Sequence, residues 1–106
     1  MSITGKYSNK ALDAVLDIKE ANNSNGQGSG TFTIAGASYE VTVRYHFDNN
    51  SGPTTVMQIY TANTYGWDYV GMAGSTPTTD GSQGISLAGG VASTKQTSGF
   101  SGVFTK

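Results

Sequence analysis

Residues Ser38–Ala62 read SYEVTVRYHFDNNSGPTTVMQIYTA and contain two strand-like runs with a turn between them. The first run has the period-two pattern of a strand with one buried and one wet face, since Glu40, Thr42, Arg44 and His46 alternate with Tyr39, Val41, Val43, Tyr45 and Phe47. Asp48–Pro53 is a cluster of residues that favour turns. Thr54–Ala62 is rich in β-branched and aromatic residues. The stretch therefore predicts a β-hairpin with a longer loop.

The rest of the chain continues this pattern. Strands are predicted at Ile3–Asn9, Leu12–Glu20, Gly30–Ala35, Trp67–Ala73, Ile85–Thr94 and Phe100–Thr105. Leu12–Glu20 also contains good helix formers, but its apolar spacing of two favours a strand. Together with the hairpin, this makes about eight short antiparallel strands. We expect a single all-β domain over residues 1–106, a small up-and-down barrel whose interior holds side chains or one small ligand.

Composition excludes several classes of function. Only 12% of the 106 residues are charged, the net charge is −1, and no positive stripe that could bind nucleic acid is visible. No apolar run approaches the roughly 20 residues of a membrane-spanning helix. The absence of cysteine rules out disulfides and thiolate chemistry. The first residues do not resemble a signal peptide, so we expect a cytoplasmic protein, or a secreted or cell-surface one if a signal was removed.

Catalysis and metal binding have little support in the sequence. His46 is the single histidine and Asp48 follows it by two residues, but no nucleophile motif accompanies them. We expect an exposed strand histidine. Asp13 and Asp17 are the closest paired carboxylates on one predicted strand face, and we expect them to keep that face solvated. The prediction is a protein that is not an enzyme and carries no cofactor or metal.

Two groups of residues point instead to binding surfaces. Tyr60, Tyr65, Trp67 and Tyr69 surround a turn that also holds Asn63 and Asp68, a combination that suits sugar binding. The same rings could cap the barrel or fill a subunit contact. The predicted sixth and seventh strands are rich in Gly and Ala, which either relieves crowding in a tight sheet or lets two barrels pack face to face. Because the domain is small, a homo-oligomer is expected.

Several stretches, in this order, resemble the avidin and streptavidin family of biotin-binding barrels. They are Thr4–Asn9, Gly30–Thr33, Val41–Phe47, Thr54–Met57 and Gly102–Lys106. The resemblance implies an eight-stranded barrel. It also implies a small-molecule pocket for a biotin-like ligand, and the positions matched to that pocket include Asn9, Asp13, Phe32, Tyr45, Thr55 and Met57.

The chemistry at these matched positions departs from that of the family. Phe32 stands where the family uses a tyrosine hydroxyl to bind the ureido ring, and a buried polar group without its partner costs about 1–3 kcal/mol. Trp67 is the single tryptophan and cannot rebuild a tryptophan wall. We therefore expect very tight biotin binding to be lost.

Three functions remain open on the sequence. The first is a non-enzymatic small-ligand-binding barrel. The second is a carbohydrate-binding module that uses Trp67. The third is a protein-interaction or assembly barrel without a small ligand.

Overall fold

The computed structural model describes residues 2–48, 52–62 and 68–106. They form one eight-stranded sheet in which each strand pairs antiparallel with the next one along the chain. The strands are β1 (Gly5–Asn9), β2 (Ala14–Asn22), β3 (Gln27–Ile34), β4 (Ala37–Phe47), β5 (Thr55–Thr61), β6 (Tyr69–Thr76), β7 (Ile85–Ala92) and β8 (Thr97–Phe104). The described residues contain no helix. The predicted all-β up-and-down barrel of eight strands is confirmed.

The barrel closes where β1 meets β8. Ser8 and Thr105 exchange two backbone hydrogen bonds of 2.8 and 3.0 Å. The side-chain amide of Asn9 adds a third contact, because it donates to the carbonyl oxygen of Val103 over 3.1 Å. Since β1 has only five residues, this seam is short and the sheet is nearly rather than fully closed.

The core lies inside the barrel and is built from the inward-facing side chains of alternating strand residues. On β4 the residues at 39, 41, 43 and 45 are buried while those at 40, 44 and 46 are exposed, as the opening stretch predicts. Phe32 and Phe104 lie 6.3 Å apart between ring centroids, and Phe100 stacks on Phe32 at 5.5 Å. These rings, with fully buried aliphatic side chains from β2, β5 and β7, fill the interior.

Strand boundaries differ from the prediction at several points. β3 begins at Gln27 rather than Gly30, and β8 begins at Thr97 rather than Phe100. β6 begins at Tyr69 and continues to Thr76, past the predicted end at Ala73. In each case pairing with a neighbouring strand extends the element into Gly- and Ser-rich sequence of low strand propensity.

β2 contains an irregularity that the alternation did not predict. Ile18 pairs with Gly30 and Glu20 with Ser29, so Lys19 is an inserted residue that forms a β-bulge. At the same place a side chain on Gly30 would collide with the carbonyl oxygen of Asp17. The bulge therefore depends on the close backbone approach that glycine permits.

Candidate functional site

Asn9 and Asp13 lie at the connection between β1 and β2, and both are engaged in local structure. The Asn9 carboxamide oxygen accepts a 3.1 Å hydrogen bond from the backbone N–H of Leu12 while its amide bonds Val103. Asp13 is exposed, has a positive φ of 50° and lies in the turn rather than on the predicted strand with Asp17. Its carbonyl oxygen accepts a bond from the backbone N–H of Ala35. These two side chains shape the seam and the turn.

Phe32 is a core residue. It is completely buried, stacks on Phe100 and makes a tilted contact with Phe104, and the latter two rings also contact each other. It lies two residues from the Asn9–Ala14–Ile34 row of the sheet. Its ring contacts other core side chains and is not exposed on the outer surface.

Tyr45, Thr55 and Met57 lie near one another on β4 and β5. Tyr45 pairs with Met57 across the two strands. The Tyr45 hydroxyl donates to the Oδ1 atom of Asn23 over 2.8 Å, and burial raises the pKa of this phenol. Thr55 Oγ1 donates to the carbonyl oxygen of Thr78 over 2.8 Å. Hydrogen bonds to neighbouring loops thus occupy both hydroxyls.

The two groups of matched residues lie at opposite ends of the barrel. Antiparallel strands alternate in direction, so the end of β1 and the start of β2 share one end with the β3–β4 turn. The end of β4 and the start of β5, which carry Tyr45 and Thr55, lie at the other end. The structure therefore does not bring Asn9 and Asp13 together with Tyr45, Thr55 and Met57.

Loops cover both ends of the barrel. At the end near Asn9, the Tyr39 hydroxyl lies 2.9 Å from Ser93 Oγ, and Gln96 Nε2 donates to the carbonyl oxygen of Ile34 over 2.9 Å. Both Ser93 and Gln96 belong to the β7–β8 turn. The interior is thus covered at this end by side chains that are tied to β3 and β4.

At the opposite end, the loop that contains Asp80 and Gly81 packs against the buried side chain of Tyr7. The Tyr7 hydroxyl donates to the carbonyl oxygen of Ile3 over 2.6 Å and lies 3.3 Å from that of Asp80. Burial, and secondarily the Asp80 carboxylate, raise the pKa of Tyr7 to about 12. The Lys106 ammonium lies 5.3 Å from the centre of the Tyr7 ring and donates to the Asp80 carbonyl oxygen over 2.8 Å. The pKa of Asp80 is lowered, chiefly by the backbone N–H of Ser82.

The predicted aromatic cluster is described in part. Trp67, Tyr65 and Asn63 lie outside the described residues. Tyr60 and Tyr69 are on the outer surface, 40% and 60% exposed, and Asp68 is exposed. Two of the four rings are therefore accessible to a partner.

No catalytic constellation is apparent in the described part of the chain. His46 is exposed on the outer face of β4, as expected from the alternation. Over the same residues, no group of three or more His, Asp or Glu side chains could hold a metal ion.

Charge is distributed unevenly over the outside of the barrel. β5, β6, β7 and β8 contain no charged residue. The charged residues of the strands all lie on β1, β2 and β4, and they are Lys6, Asp17, Lys19, Glu20, Glu40 and Arg44. Half of the barrel wall is thus free of charge, a division that is visible only once the strands are assigned.

The outward side chains of β5–β8, which we call the uncharged face, form continuous rows across the four strands. The rows are Val56–Ser75–Ser86–Val103, Gln58–Ala73–Ala88–Ser101, Tyr60–Gly71–Gly90–Gly99 and, on β6–β8, Tyr69–Ala92–Thr97. Small residues occupy the centre. The large apolar side chains stand at the edges, with Val56 48% and Val103 53% exposed. The sequence indicated the small residues but not the large apolar side chains around them, because their positions at the edges depend on the register of strand pairing.

No protein-family model, curated protein or solved structure matches this chain. Within the described residues, no helix has the length and apolar character needed to cross a membrane.

Proposed function

We propose that this protein is a non-enzymatic assembly barrel that associates with a second copy of itself through the uncharged face. The observation that carries the proposal is the division of charge, since every outward residue of β5–β8 is uncharged while the strands of the other half carry charges of both signs. Of the three functions expected from the sequence, this is the protein-interaction or assembly barrel.

A second copy is the partner best suited to this face. Two like faces that carry charge would repel each other wherever a two-fold axis opposes the same residue, but an uncharged face has no such cost. The central Gly and Ala side chains are short, so two sheets can approach closely. Tyr60 and Tyr69 at the edges provide the aromatic area that is enriched in interfaces.

The size of the face is adequate for association. Four strands spaced about 4.8 Å apart, each seven or eight residues long, cover roughly 20 by 25 Å. A corrugated patch of that footprint buries an area near the lower end of stable interfaces, at roughly 600 Å² on each partner. The contact is expected to be a reversible dimer.

A ligand pocket inside the barrel has weaker support from this geometry. The residues matched to such a pocket lie at two opposite ends, and Phe32 is buried in a cluster with the rings of Phe100 and Phe104. Cavities of about 410 and 360 Å³ follow β4–β5 and β6–β8, and one of about 380 Å³ lies at the barrel end between the β2–β3 turn and Tyr45. The last of these contains Tyr45 alone of the matched residues.

Sedimentation velocity over a range of protein concentrations tests the proposal. The wild-type chain should move from 11.0 kDa towards twice that mass as its concentration rises. Ala88→Glu places a charge at the centre of the face, where it would meet its own copy, and should keep the protein monomeric. Ser38→Glu puts the same charge on exposed β4, in the other half, and should leave association unchanged. A wild-type chain that stays monomeric at high micromolar concentration would overturn the proposal.

A further inference from the structure

An open groove crosses the outside of the barrel where β4, β5 and the β2–β3 turn meet. We call it the Arg44 groove. It has a volume of about 410 Å³, and its lining includes Asn25, Arg44, His46, Val56 and Gln58. Arg44 pairs with Gln58, and His46 pairs with Val56, across the two strands. None of the lining residues carries a carboxylate.

The polar side chains of this groove are available for binding. Arg44 and His46 are two residues apart on one strand, so both project from the outer face, and both are exposed. Within the part of the chain that the structure describes, the Arg44 guanidinium, the His46 ring and the Gln58 amide have no hydrogen-bond or ion-pair partner. The Asn25 carboxamide oxygen accepts a bond from the backbone N–H of Gln27, which orients the side chain at the rim of the groove.

These groups define the chemistry of the ligand. A guanidinium presents a planar fork of donors that matches a carboxylate, and side-chain amides both donate to and accept from hydroxyls. Beside the Arg44–Gln58 pair lies Tyr60, a residue that is 40% exposed and whose ring can face the apolar side of a pyranose. A carboxylate, several hydroxyls and an apolar ring face occur together in acidic sugars.

We propose that the Arg44 groove binds an acidic saccharide, with Arg44 on the sugar carboxylate, Gln58 and Asn25 on its hydroxyls and Tyr60 against its ring. The proposed saccharide site shares Gln58 and Tyr60 with the edge of the uncharged face, so a dimer that covers β5 competes with the saccharide. Ala88→Glu, which removes the dimer, leaves Arg44, Gln58 and Tyr60 in place, so saccharide binding is measured on this monomeric background as well. Loss of binding in Arg44→Gln and loss of association in Ala88→Glu are therefore distinguishable outcomes.

Titration calorimetry with an oligogalacturonate, and with its fully methyl-esterified counterpart as the neutral control, tests this binding. The acid should bind, and the ester should bind at least about tenfold more weakly, because it lacks the charged partner of Arg44. Arg44→Gln should weaken binding of the oligogalacturonate by a similar factor. Lys6→Gln removes an exposed positive charge from β1, away from the groove, and should leave the affinity for oligogalacturonate unchanged. Circular dichroism of each variant verifies its fold.

Three results would overturn the proposal. The first is no heat and no amide chemical-shift change in the groove at millimolar oligogalacturonate. The second is equal binding of acid and ester, or of wild type and Arg44→Gln. The third is inorganic phosphate that binds as tightly as the acid and displaces it, which would mark a general anion site. Gln58→Ala provides a further test, since it should weaken binding of the oligosaccharide but leave binding of acetate unchanged.

Discussion

Ser98 shows how one inward-facing hydroxyl can destabilise a packed barrel. It lies on β8, and its Oγ is buried without a hydrogen-bond partner among the described residues. A buried hydroxyl without a partner costs about 1–3 kcal/mol. Ser98→Ala should therefore leave the free energy of unfolding unchanged or raise it by about 1 kcal/mol, as measured by urea denaturation. Ser93→Ala, the matched control, removes a hydroxyl that bonds Tyr39 and should lower stability. A clear loss of stability in Ser98→Ala would contradict this account.

Tyr7 should make the barrel sensitive to alkaline pH. Its pKa is raised from 10.0 to about 12, so the folded state holds the phenolic proton more tightly than the unfolded chain does. This contribution to stability is complete below pH 10 and is lost as the pH rises through 12. While it is being lost, the free energy of unfolding should fall by up to about 1.4 kcal/mol per pH unit from this group alone.

Tyr7→Phe isolates that contribution from the other tyrosines. The variant should be about 1 kcal/mol less stable at neutral pH, because the 2.6 Å bond to the Ile3 carbonyl oxygen is lost. Its stability should then fall less steeply than that of wild type between pH 10 and 12. Denaturant midpoints across this range provide the measurement. Parallel pH curves for the two proteins would show that Tyr7 does not titrate with unfolding.

At the scale of the element, the β2–β3 hairpin depends on one close backbone approach. A Cβ atom on Gly30 would collide with the carbonyl oxygen of Asp17 beside the Lys19 bulge. Gly30→Ala should therefore lower the free energy of unfolding by about 1–3 kcal/mol, since backbone rather than a side-chain end must move. Gly71 on β6 has no atom within 4 Å of an added Cβ, and Gly71→Ala should change monomer stability little. Equal effects from the two variants would argue against a tight approach at the bulge.

The same hairpin shows which elements the sequence could predict. The alternation predicted β4 and its buried side chains correctly, because a strand with one solvent-exposed face alternates apolar and polar residues in its own sequence. The first residues of β3, Gln27–Ser29, have little strand propensity. They adopt strand conformation because they pair with Arg44, Val43 and Thr42 of β4. The bulge at Lys19 leaves no mark in the local pattern. Both features depend on the partner strand.

At the scale of the whole molecule, register decided which candidate sites could be predicted. Asn9 and Tyr45 each fit the pattern of a pocket residue, yet they lie at opposite ends because β1 and β4 run in opposite directions. The Arg44 groove needs Gln58, which is 14 residues away in sequence and adjacent only through cross-strand pairing. The uncharged face has the same origin, since its rows join residues from four strands. A single sequence read along its length does not contain these neighbours.

The uneven distribution of charge over the barrel leads to opposite salt dependences for its two proposed surfaces. Raising ionic strength from about 0.1 to 1 M shortens the Debye length from about 10 to 3 Å and so screens exposed charges. The uncharged face has no charge pair to lose, so the dimer dissociation constant should stay constant or decrease. Binding of oligogalacturonate at Arg44 should weaken severalfold over the same range. Sedimentation and calorimetry on one preparation compare the two directly. A dimer that dissociates in salt would mean that charged residues outside β5–β8 hold it together, because the strands of the face contain none.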